Sequence, residues 1–67
     1  MGIEEKIKAL VTSGKSGYYI SKESGVSQAT VSRLISGEYD LGNISLGNAA
    51  KLEKLFDRLT EQSELEQ

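Results

Sequence analysis

The sequence predicts a compact all-α domain of four helices, with a fifth left open, and three observations carry that prediction. Apolar residues recur at helical spacing in separate stretches; glycine or serine punctuates those stretches; and no run shows the strict alternation of a strand. A chain of 67 residues is long enough for one core and too short for two, so any function sits on a single domain.

Ile3, Ile7, Leu10 and Val11 follow i, i+4, i+7, i+8 spacing and predict a first helix over about 3–12, with Glu4, Lys6 and Lys8 off the stripe. Ser13-Gly14 ends it, because glycine tolerates the left-handed turn that closes helices. Ser16 is then the expected N-cap of a second helix, about 16–24, which Gly25 ends. Ser27 caps a third, about 27–36, running from Gln28 to Ser36 and closed by Gly37. The stretch 37–44 contains two glycines and reads as a loop, with Leu41 and Ile44 tucked onto the core. A fourth helix begins after Ser45, and Leu46, Ala49, Leu52, Leu55, Phe56 and Leu59 form its apolar face. Residues 1–60 make the domain; 61–67 are an acidic tail or an extension of the fourth helix.

Composition narrows the function. There is no cysteine and no histidine, which removes thiolate nucleophiles, disulfides, the commonest metal ligand and the usual near-neutral general base. Gly14-Lys-Ser lacks the preceding glycine and spacing of a phosphate-binding loop. No enzyme activity, no metal, no cofactor and no small-molecule substrate are expected. The start, Met1-Gly-Ile-Glu-Glu-Lys, has neither the basic residues nor the apolar run of a signal peptide, and no stretch approaches a membrane span, so a soluble cytoplasmic protein without a membrane partner is expected.

The net charge of -2 opposes a phosphate-binding surface, but its distribution softens the objection. Glu61, Glu64 and Glu66 lie in the tail, leaving eight bases against seven acids in residues 1–60. Within 13–36, Lys15, Lys22 and Arg33 face Glu23 alone.

The second helix, Gly25-Val26-Ser27 and the third helix form the informative unit, since glycine lets one helix turn sharply into the next. At about 100° per residue, Val31, Leu34 and Ile35 share one arc of the third helix and point to the core. Ala29, Ser32, Arg33 and Ser36 fall opposite, with Gln28 and Thr30 flanking them at the N-terminal end. Ser21 is small where the second helix meets its neighbour most closely. These outward side chains are short or hydrogen-bonding, unlike the Glu/Lys lacing of a merely solvated helix.

The run Ile20-Ser21, Gly25-Val26-Ser27-Gln28, Val31-Ser32-Arg33-Leu34-Ile35-Ser36-Gly37 resembles the lambda-repressor-like, Cro-type or XRE-type helix-turn-helix regulators of phages and bacteria, over about residues 3–59. Leu41-Gly-Asn-Ile-Ser-Leu is similar to that family's lead-in to the following helix. The resemblance implies a sequence-specific transcriptional regulator of repressor type, binding double-stranded DNA as a homodimer with residues 27–36 in the major groove. It implies base contacts from Gln28, Ala29, Ser32 and Arg33. A Gln28 amide offers donor and acceptor side by side for adenine, Ala29 can meet a thymine methyl, and the Arg33 guanidinium fits guanine or a phosphate. Lys15, Ser16, Tyr18, Lys22, Ser27, Thr30 and Tyr39 are the candidate phosphate contacts.

Each assignment has a plainer alternative. Gln28 can meet water or phosphate, Ala29 and Ser32 can be passive, Arg33 can pair with Glu23 or Glu38, and the tyrosines can be packing. Leu55, Phe56 and Leu59 read most simply as core and are dimer-interface candidates only where exposed. The sequence departs from the family at Gly17, where members often carry a phosphate-holding glutamine; at Ser21, where alanine is usual; and at Ser24, where an apolar residue is usual. The acidic pI also leaves open a protein-interaction module on the same scaffold, or the front domain of a longer bifunctional protein.

Overall fold

In the computed structural model, which describes residues 2–38 and 41–62 and Leu41 by its backbone alone, helices follow in the order α1 (Ile3–Val11), α2 (Gly17–Ser24), α3 (Gln28–Ser36) and α4 (Leu46–Glu61). A 3₁₀ turn at Leu41–Asn43 leads into α4. No strand occurs among the described residues.

Serine hydroxyls start three of the helices. Ser16 accepts from the Tyr19 N–H at 3.1 Å, Ser27 from Thr30 at 3.3 Å and Ser45 from Asn48 at 3.2 Å, each satisfying an N–H that has no partner within its helix. α1 has only Gly2 at its N-cap and places Glu4 and Glu5 in its first turn, where negative charge suits the helix dipole.

Serine also closes helices. Ser13, Ser24 and Ser36 each precede a glycine, and each hydroxyl accepts from the N–H two residues on, Lys15 at 3.4 Å, Val26 at 3.2 Å and Glu38 at 3.4 Å. Gly25 and Gly37 both adopt φ +84°, left-handed backbone in which a β-carbon is strained.

The core draws Ile7 and Leu10 from α1, Ile20 from α2, Val26 from the turn, Val31 and Leu34 from α3, and Ala49, Leu52, Leu55, Phe56 and Leu59 from α4. α1 packs mainly on α4 and α2 mainly on α3, with α2 also touching α4. Ile44 is half-buried against this cluster, as expected; the expectation for the Leu41 side chain lies outside the described residues. Two ion-pair clusters cross helices: Lys6 reaches Asp57 at 3.0 Å and Glu53 at 3.2 Å, and Arg58 reaches Glu23 at 2.7 Å. At this exposure they orient helices more than they stabilise them.

One expectation about the apolar residues of α4 is corrected. Leu46 is not part of the buried face of α4: it is 84% exposed, because at about 100° per residue it lies roughly 120° round the helix from Leu52 at the centre of that face. Leu55, Phe56 and Leu59 are all buried within the chain, so the exposure that would mark them as a dimer interface is absent. α4 packs on both α1 and α2.

Candidate nucleic-acid interface

The turn between α2 and α3 is closed by groups on α2. Gly25 donates its N–H to the Ser21 carbonyl at 2.9 Å, which ends α2 and reverses the chain. Val26 then enters the core at 2% exposure, carrying its backbone away from water. Both of its polar groups find hydroxyls: its N–H donates to Ser24 Oγ at 3.2 Å, and its carbonyl accepts from Ser21 Oγ at 2.6 Å. Ser27 follows as the cap of α3, donating its hydroxyl to Thr30 Oγ1 at 2.9 Å while accepting the Thr30 N–H.

This turn presents α3 with one face inward and one outward. Val31 and Leu34 are buried, while Gln28, Ala29, Ser32 and Arg33, at i, i+1, i+4 and i+5, form one exposed strip. Ile35 departs from the core arc predicted for it: 43% of it is exposed. It sits at the edge of that arc, and its Cδ1 would lie 3.6 Å from a β-carbon at Gly17, so the missing side chain there leaves it uncovered. Of the two partners open to Arg33, Glu23 is taken by Arg58, and Arg33 makes no ion pair among the described residues.

The flanking candidates divide by environment. Ser16, Tyr18, Lys22 and Ser27 are exposed, Tyr18 at 63%. Lys15 is half-buried with its ammonium 5.1 Å from the Tyr19 ring centroid, within cation–π range. Thr30 is half-buried and bonded to Ser27. Tyr39 lies outside the described residues. Electrostatics favour an anion here: the first turns of α2 and α3 contain no acidic residue, so their positive dipole ends stay uncompensated, in contrast to α1.

A short helix, a glycine turn and a second helix with an acid-free outer strip are now in place, and a family model described as helix-turn-helix matches residues 7–62. The chain belongs to the lambda-repressor-like helix-turn-helix family. That is a family of DNA-binding regulators. No curated protein and no solved structure matched the chain.

Within this helix-turn-helix domain, sequence reasoning missed the work of Ser21 and Ser24. Both stand out in the sequence as departures from the family, and both are hydroxyls within reach of a buried turn whose backbone needs partners. The signal was there in the residue type; only the geometry assigns the partner.

Proposed function

We propose that this domain is a sequence-specific transcriptional regulator of the phage, plasmid or bacterial repressor type, laying α3 in the major groove of double-stranded DNA in the cytoplasm. The observation that carries this reading is the exposed strip Gln28, Ala29, Ser32 and Arg33, free of acids and set on a helix whose opposite face is buried. Gln28 would pair with an adenine edge, Ala29 meet a thymine methyl, Ser32 bond a base or phosphate, and Arg33 read a guanine. Lys15, Ser16, Tyr18, Lys22, Ser27 and Thr30, with Tyr39, would hold phosphates and fix register without reading sequence. One module buries too little surface for high specificity, so two copies on a two-fold operator, one α3 per half-site, complete the proposal.

Selection from a random duplex pool tests it. Enrichment of an inverted repeat with half-sites about one helical turn apart is expected; recovery of no enriched sequence by a folded sample at low salt would sink it. The net charge of -2 favours a second reading, a protein-interaction module, which predicts no affinity for generic duplex at any salt. A regulator instead binds it and loses affinity steeply as salt rises.

A further inference from the structure

The two serines that depart from the family pattern converge on one residue. Ser21 and Ser24 stand one turn apart on α2, and their hydroxyls take the carbonyl and the N–H of Val26, the residue whose buried side chain pins the turn. Ser13 and Ser36, the equivalents of Ser24 at the ends of α1 and α3, close their turns differently. Each also donates its hydroxyl back to its own helix, to Leu10 O at 2.6 Å and Arg33 O at 3.1 Å, and neither turn residue they serve is buried in the core. Among the described residues, a second serine donating to the carbonyl of the turn residue occurs at the α2–α3 turn, where Ser21 holds Val26.

We propose that Ser21 and Ser24 are positioning residues for DNA reading, a two-point hydroxyl clamp that fixes the angle at which α3 leaves α2. This rests on the regulator reading above. With Val26 held at both its N–H and its carbonyl, the peptide planes on either side of it cannot rotate without leaving a buried polar group unpaired. α3 starts two residues later, so a small rotation there swings Gln28, Ser32 and Arg33 together. Base contacts tolerate such a swing poorly, because bidentate hydrogen bonds demand distance and angle. Phosphate attraction tolerates it well, because it is Coulombic and spread over several groups. The clamp therefore acts on specificity more than on affinity, and it does so without either serine touching DNA.

The test compares Ser21→Ala, Ser24→Ala and the double variant with the unaltered chain on two probes, the duplex most enriched from a random pool by that chain and a scrambled duplex of equal length. The ratio of the two affinities should fall by about tenfold in the double variant, with scrambled-duplex affinity changed by less than about twofold. Ala49→Gly, which weakens α4 through helix propensity and leaves both serine hydroxyls in place, is the stability control and should leave the ratio intact. Ser24→Thr retains the hydroxyl at the end of α2 and should restore most of what Ser24→Ala loses. An unchanged ratio in the double variant, or an equal fall in Ala49→Gly, would overturn the clamp while leaving the regulator reading standing. Failure to enrich any duplex would overturn both.

Discussion

Arg33 and Lys22 are both exposed and unpaired among the described residues, yet their positions assign them different work. Arg33 projects from the outer strip of α3, where a guanidinium meets base edges; Lys22 projects from α2, where an ammonium meets only the backbone. Arg33→Ala should cost on the order of 1–3 kcal/mol and relax preference at one base pair, whereas Lys22→Ala should weaken all sequences alike and lower the salt slope by about 1. Affinity measured on a panel of single-base operator variants separates the two; equal uniform losses would show that Arg33 holds only phosphate. Gly17 offers the opposite experiment. A β-carbon there would sit 3.6 Å from Ile35 Cδ1 and 3.9 Å from Val31 Cγ1, ordinary contact, and would cover an apolar side chain now in water. Gly17→Ala should therefore raise stability by about 0.4–1 kcal/mol, chiefly by restricting the unfolded chain, read as an increased denaturant midpoint. A lowered midpoint would mean that the backbone at residue 17 needs glycine after all.

At the scale of elements, the four helices were legible because their boundaries are local chemistry. Serine caps and glycine stops act on the nearest turn, so Ser16, Ser27, Ser45, Gly25 and Gly37 could each be assigned from sequence alone. The outer strip of α3 was legible for the same reason, since periodicity alone turns Val31 and Leu34 inward. Whatever depended on the arrangement of helices was not. Leu46 joins the apolar residues of α4 in sequence yet lies off the side of the buried face, and Ile35 fits the arc of α3 yet faces a glycine. Ser21 looked merely small, because its acceptor is five residues away across a turn. The stop at Gly37 isolates the cost of a left-handed residue, since a β-carbon there would meet nothing within 4 Å. Gly37→Ala should destabilise by about 1–2 kcal/mol from backbone strain alone, and Gly37→Asn by less, because asparagine tolerates that conformation better. Thermal melts of the pair would check this; equal losses would point to a cause other than φ.

For the whole molecule, the closed core and the ties between helices decide how stability responds to conditions. Every large buried side chain on α4 packs within its own chain, so folding does not wait for a second copy, and the melting temperature should be independent of protein concentration. A melting temperature that climbs with concentration would instead couple folding to association. Lys6 supplies the pH lever. Hydrogen bonds to Asp57 and then Glu53 raise its pKa above the ordinary 10.5, against an opposing desolvation and with further help from the two carboxylate charges. The folded chain thus holds this proton more tightly than the unfolded one. The resulting stabilisation is complete below the ordinary lysine pKa and is lost as pH climbs through the raised folded value. The α1–α4 tie should therefore weaken only under strongly alkaline conditions, and the chain should show a fall in melting temperature there that Lys6→Met largely lacks. The two proteins should differ by a constant offset from neutral to mildly alkaline pH and converge beyond it. Because its partners Glu53 and Asp57 are partly exposed, the offset should be small and should shrink with added salt. Parallel alkaline profiles for the two would show that Lys6 is not the group whose proton links α1 to α4.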